Sequence, residues 1–215
     1  MQFAKIDLKN VKGVLLDLDN TLYAYEPCHD SALDKCRHIA STQFNISPSQ
    51  FDEGYKTARK IIHERLHGQG ASHSRLLYFH SQIEFITDKS NPEYALKMEE
   101  TYWKAFLSEM KISNAALSFL KSLKERSIKI CLVTDLTTQI QMQKWEKLSL
   151  NDLIDFMVTS EEAGVEKPHE SIFKLALDKL KLKSHEVIMV GDNQEKDILG
   201  AEKLGIRSYL IDVRK

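Results

Sequence analysis

Several positions carry groups that could do chemistry, and each group follows an apolar run. Gly13-Val14-Leu15-Leu16 leads into Asp17 and Asp19, with Thr21 just beyond. IKICLVT, 128–134, ends in Thr134 and is followed by Asp135. FMVT, 156–159, is followed by Glu166-Lys167-Pro168. VIMV, 187–190, leads into Gly191-Asp192-Asn193, and Asp197 lies five residues after Asp192. In extended chain, residues i and i+2 point to one face, so Asp17 and Asp19 would stand together. Two such charges repel by roughly 1 kcal/mol in water and about 4 kcal/mol at an intermediate dielectric. A bound cation, a shared proton or a solvated turn would offset that. Carboxylates and hydroxyls are hard oxygen donors, and no His/Cys cluster competes with them. Such a set suits Mg²⁺ better than zinc.

These groups need elements to position them. In open α/β sheets, ligands bind outside the carboxyl ends of the strands. The apolar runs at 14–18, 128–134, 156–159 and 187–190, with a fifth at 208–211 (SYLI), read as buried strands. Continuous apolar runs of this kind suit a parallel sheet covered on both faces. Helical patterns lie between them at 116–126, 138–148, 171–182 and 195–204. The alternation predicts an α/β fold with a doubly wound parallel sheet. Residues 22–112 break the pattern and read as helical throughout. Ser47-Pro48-Ser49-Gln50 has an N-cap Ser, Pro at the first position and Gln at the third. Asn91-Pro92-Glu93 is a second start signal, and HGQG, 67–70, is a turn before a further helix. The expected organisation is a core of 1–21 and 113–215 with an all-helical insertion, 22–112, able to act as a lid.

The bulk numbers set limits. The chain has 215 residues, 42% hydrophobic and 28% charged, as in ordinary globular proteins. Lys and Arg number 30 against 31 Asp and Glu, a net charge of −1, so no basic excess points to nucleic acid. No apolar run approaches the length of a membrane span. The opening MQFAKIDLKNVKG is too polar for a signal peptide. Cys28, Cys36 and Cys131 form no CxxC pair, which fits a reduced, cytoplasmic protein.

One at a time, a DxD, a Thr at a strand end, a Lys-Pro and a GDN turn are weak signals. In this order, each after an apolar strand, they form a set. DLDNT, VTD, the Lys of EKP and GDNQEKD resemble the four motifs of the haloacid dehalogenase superfamily of hydrolases. The resemblance covers the α/β part and implies a Rossmann-like core, with the helical insertion in the place of that superfamily's C1-type cap. It implies that Asp17 is a nucleophile forming an aspartyl-phosphate, and that Asp19 is the general acid and then the base. It implies that Thr134 and the N–H of Asp135 bind phosphate, and that Lys167 bridges nucleophile and phosphate. Mg²⁺ would be held by Asp17, Asp192 and the backbone carbonyl of Asp19, with Asp197, Thr21 and Asn193 supporting them from behind. Asp19 argues for phosphatases over dehalogenases and phosphonatases, which lack an acid there. Motif II more often reads Thr/Ser-Asn-Gly, whereas here it is Thr134-Asp135-Leu136, and the Asp135 carboxylate is expected to point away from phosphate.

The expected activity is therefore hydrolysis of a small phosphomonoester, a nucleoside monophosphate or a sugar or sialic-acid phosphate. A β-phosphoglucomutase-like mutase and a silent binding module on the same scaffold are the alternatives. Neither nucleic acid nor a membrane is an expected partner, and the chain is expected to be a monomer or homodimer. In the insertion, Arg65, His73 and Arg75 are candidates for substrate recognition, as Arg can clamp an anion; solvated helix faces are the plainer reading. Tyr23 and Tyr25 could line the entrance, and Tyr102-Trp103 reads as insertion core.

Overall fold

The computed structural model of the protein describes residues 3–214. Five strands form one parallel sheet: β1 (Gly13–Leu16), β2 (Lys129–Thr134), β3 (Phe156–Thr159), β4 (Val187–Gly191) and β5 (Arg207–Leu210). Their order is β3-β2-β1-β4-β5. The apolar runs explain this layout. β1 and β4 are buried at every residue, β2 and β3 at all but the first, and only the edge strand β5 is half exposed. A strand buried on both faces has no polar side to show. In register, Leu16 faces Leu132 and Val190, Thr134 faces Thr159, and Gly191 faces Leu210. The carboxyl ends therefore lie along one edge. The chain order reverses at β1, and a reversal of that kind opens a crevice at this edge.

The chain divides into two compact units. The first comprises Met1–Tyr25, Gly68–Gly70 and Lys111–Lys215, and contains the sheet. Its helices include α5 (Asn114–Glu125), α6 (Thr138–Lys147), the short α7 (Ser160–Ala163) and α8 (Glu170–Leu180). α8 buries Ile172, Phe173, Ala176 and Leu180, a stripe at helical spacing. It packs them against Leu15, Cys131, Val133, Val158 and Met189 of the strands. Each large side chain so buried contributes about 1.5–3 kcal/mol.

The second unit comprises Glu26–His67 and Ala71–Met110. It holds α1 (Tyr25–Phe44) from its second residue on, α2 (Pro48–Arg65), α3 (Arg75–Thr87) and α4 (Pro92–Glu109). α2 begins on a complete capping box between Ser47 and Gln50, and α4 on Asn91, whose side chain accepts from the N–H of Tyr94. The interior is aromatic. Phe51, Phe79, Tyr94, Tyr102 and Phe106 are fully buried, and Trp103 meets Tyr102 edge-on at 4.9 Å. Gly54 lets α2 approach α3: a Cβ there would meet Ile86 and Gln82 at 3.0–3.1 Å.

One expected helix differs. The pattern over 195–204 forms a π-helical turn, Gln194–Leu199, and then a single α-turn, α9 (Gly200–Glu202). The carbonyl of Asn193 accepts from both Asp197 N (3.0 Å) and Ile198 N (3.3 Å), and this widens the turn. Its periodicity resembles that of an α-helix, so the sequence alone does not distinguish them. The strand expected at 208–211 lies one residue earlier, and β1 ends at Leu16 rather than at 18.

Candidate active site

The carboxyl edge of the sheet gathers the polar groups named from sequence. Asp17 leaves β1 with its N–H bonded to Val190 O at 2.9 Å, so the adjacent strand fixes its backbone. Its Oδ2 accepts from the Thr21 hydroxyl (2.9 Å) and its Oδ1 from Lys167 Nζ (2.7 Å). Lys167 Nζ also donates to Val133 O (2.9 Å) and to Asp197 Oδ1 (2.7 Å). An ammonium has three protons, and all three are committed here. Both Lys167 and Asp197 are buried.

The wide turn after β4 has a consequence at this site. It carries Asp197 back so that its Oδ2 accepts from Asn193 N at 3.0 Å while Oδ1 meets Lys167. The Asn193 side chain holds the turn by accepting from Glu195 N and Lys196 N. Gly191 leaves room for this, since a Cβ there would overlap the Asp197 carboxylate. π-turns recur at functional sites, and here the turn aims Asp197 at Lys167.

The electrostatics follow from burial. Asp17 is raised to about 8, first by burial and then by the Asp197 and Asp192 charges, against the opposing pull of Lys167. Asp192 is raised to about 6 by burial and by Asp197, although Arg214 Nη2 lies 3.3 Å from it. Burial alone would depress Lys167, but Asp17 and Asp197 outweigh it and hold the ammonium well above its ordinary value. Carboxylate oxygens of Asp17, Asp192 and Asp197 lie within 4.8 Å of one another. Three acids this close are an all-oxygen donor set for a hard cation.

Thr134, at the end of β2, accepts from Gln141 Nε2 at 2.8 Å. The Asp135 carboxylate is engaged on both oxygens: Oδ1 accepts from Lys167 N (3.0 Å) and Oδ2 pairs with Lys196 Nζ (2.8 Å). Lys196 also reaches Glu166 at 3.2 Å. Asp19 is held by Lys144, whose Nζ donates to both carboxylate oxygens at 2.8 Å, and by the Tyr23 hydroxyl. Sequence reasoning missed Lys144, Gln141, Lys196 and Arg214. The available signal was in α6, where Gln141 and Lys144 share a helical face with the apolar Ile140.

Arg65, His73 and Arg75 belong to the helical unit. Arg65 is exposed at the end of α2, and His73 stands half-buried with its ring edge-on to His63 at 4.9 Å. Arg75 is not on a solvated face. It is buried, donates to His73 O at 2.6 Å, and lies over the rings of Tyr78, Tyr102 and Trp103 at 5.1–5.5 Å.

Comparison with known proteins agrees with this geometry. Residues 14–211 match the family model of the haloacid dehalogenase-like hydrolases. The chain is 39% identical over 204 residues to a ribulose-1,5-bisphosphate 5-phosphatase of Halopiger xanaduensis, covering 93% of this chain and 84% of that one. It is 29% identical over 197 residues to a glyceraldehyde 3-phosphate phosphatase of Methanocaldococcus jannaschii, covering 91% and 82%. Among solved structures, a 2-haloacid dehalogenase of Pseudomonas syringae shares the fold with a TM-score of 0.72 at 22% identity, covering 92% and 85%. The chain belongs to the haloacid dehalogenase-like hydrolases. Within them it is a phosphatase, a phosphoric monoester hydrolase.

Proposed function

We propose that this phosphatase hydrolyses a small sugar phosphate through an aspartyl-phosphate on Asp17, with Mg²⁺ as cofactor. The observation that carries the chemistry is the Lys167 ammonium bonded at 2.7 Å to both Asp17 and Asp197. That contact holds the nucleophile's carboxylate in one orientation with positive charge beside it. Asp17 attacks phosphorus, and Asp19 gives a proton to the departing oxygen. Asp19 then takes a proton from the water that cleaves the aspartyl-phosphate, which releases phosphate and restores both acids. Thr134 and the N–H of Asp135 bind phosphate oxygens. The pairing of the Asp135 carboxylate with Lys196 favours that role, because it keeps a negative charge occupied elsewhere. Asp17, Asp192 and the Asp19 carbonyl would hold Mg²⁺, with Asp197 and Thr21 steadying their neighbours. When bound, the ion supplies positive charge that neutralises the acids and the phosphate. The donor chemistry fits, since every candidate ligand is oxygen.

A sugar phosphate is preferred over a nucleotide because the relative at 39% identity is a ribulose-1,5-bisphosphate 5-phosphatase, while a pyrimidine 5'-nucleotidase of Escherichia coli stands at 27%. The helical unit serves as the cap that selects the substrate, with Arg65, His73 and Arg75 as its candidate contacts. Three buried, unbridged thiols, Cys28, Cys36 and Cys131, suit a reducing cytoplasm. No helix among the described residues is long and apolar enough to cross a membrane.

Phosphate release from a panel of sugar phosphates, nucleoside monophosphates and sialic-acid phosphates tests this reading. Turnover should need Mg²⁺, stop with EDTA, favour sugar phosphates, and fall by at least about 10⁴-fold in Asp17→Asn with the fold intact. Activity retained in Asp17→Asn would remove Asp17 as nucleophile. Faster turnover of nucleotides would overturn the substrate class.

A further inference from the structure

α6 places two polar side chains, one turn apart, on its buried face: Gln141 and Lys144, both fully buried. Each reaches a group that handles protons or phosphate in the proposed reaction. We infer that Lys144 is a positioning residue for Asp19, and that it leaves Asp19 Oδ2 as the oxygen that exchanges the proton. The inference rests on the reading of Asp19 as general acid.

A fully buried ammonium is costly, several kcal/mol before pairing, and an apolar residue at the same place is often at least as stable. Packing does not account for a lysine there. Its contacts do. Nζ sits 2.8 Å from both oxygens of Asp19 and 5.9 Å from the ring centroids of Tyr23 and Tyr25. The Tyr23 hydroxyl adds a second donor to Oδ1 alone. Oδ1 thus accepts twice and Oδ2 once, so the spare lone pair is on Oδ2. The Asp19 side chain keeps 30% of its surface, so the pairing restrains the carboxylate without enclosing it.

Gln141 does the companion task. Its Nε2 donates to Thr134 Oγ1 (2.8 Å) and to Asp135 O (2.6 Å). The Asp135 carbonyl fixes the orientation of this amide, because only N–H can face it. The Thr134 hydroxyl therefore accepts from Gln141, while its own proton makes only a long, 3.4 Å contact with the Asp135 carbonyl, one an anion can displace. Gln141 Oε1 is buried with no hydrogen-bond partner, a cost the fold carries on the side away from these contacts.

The test compares kcat/KM for p-nitrophenyl phosphate and for an alkyl phosphate in the wild type, Asp19→Asn, Lys144→Met and the double variant. kcat/KM reports the steps up to leaving-group departure, where an alkoxide needs a proton and p-nitrophenolate does not. Lys144→Met should lose at least tenfold more on the alkyl ester than on the aryl ester. The double variant should be no worse than Asp19→Asn. An equal loss on both esters, or losses that multiply in the double variant, would mark Lys144 as structural and overturn the inference while leaving Asp19 as the acid. If Asp19→Asn itself shows no leaving-group dependence, the reading of Asp19 falls and this inference with it. Should Lys144→Met fail to fold, Lys144→Arg keeps the charge but moves the donors, and the same selective loss is required of it.

Discussion

At the scale of single residues, the site is a set of commitments that leave few choices open. Lys167 has spent its three protons on Asp17, Asp197 and Val133 O. Asp197 can stand there only because Gly191 has no side chain. Gly191→Ala would drive a methyl into the Asp197 carboxylate, so the acid must move and Lys167 loses an anchor. We expect a cost of about 1–3 kcal/mol and a fall of at least about tenfold in kcat/KM, read by thermal unfolding and phosphate release. A variant with wild-type values in both would show that Asp197 has room elsewhere and that its contact with Lys167 is dispensable. Asp17, Asp19, Thr134, Lys167 and Asp192 were legible in sequence because each ends or follows an apolar strand, and a parallel sheet brings such ends together. Lys144 was not. It reads as an ordinary helix lysine, and its partner is 125 residues away in the chain. Only the packed fold shows that its face of α6 is buried.

At the scale of elements, local chemistry decides starts better than it decides shapes. Ser47-Pro48-Ser49-Gln50 announces α2, and the helix does begin there with both halves of the capping box made. Asn91-Pro92 announces α4 in the same way. These signals are legible because the donors and acceptors lie within three residues of one another. The turn at Gln194–Leu199 is not, because its π geometry accompanies the pull of Asp197 towards Lys167, a contact across 30 residues. The cap is also the cheapest element to probe. Ser47→Ala removes the acceptor for Gln50 N and should destabilise the protein by about 1 kcal/mol. Phosphate release should be unchanged, since no proposed site residue lies at that end of α2. A loss of activity with unchanged stability would contradict the assignment of Ser47 as a cap and nothing more.

At the scale of the whole molecule, two compact units mean that a single unfolding midpoint need not describe both. Their responses to acid can be separated. In the helical unit, His29 is lowered from 6.5 to about 4, first by burial and then by the Arg75 and Arg59 charges. His29 is half-buried at the edge of the aromatic core, its Nδ1 2.6 Å from the Tyr102 hydroxyl. A folded-state value below the unfolded one means that the folded unit prefers neutral His29. That preference stabilises fully above about pH 6.5 and is lost as pH falls from there towards 4. The chain has two tryptophans. Trp103 lies in α4, and Trp145 in α6 has an indole N–H with no hydrogen-bond partner, so Trp145→Phe sacrifices no bond. In that background Trp103 fluorescence reports the helical unit alone. Its thermal midpoint should drop between pH 6.5 and 4. His29→Asn, which keeps an acceptor near the position of Nδ1 but cannot be protonated there, should flatten that drop by several degrees at about 4–8 °C per kcal/mol for a unit of this size. If the two proteins lose stability equally steeply, protonation of His29 is not what acid acts on in this unit, and the burial that holds it neutral costs less than its surroundings imply.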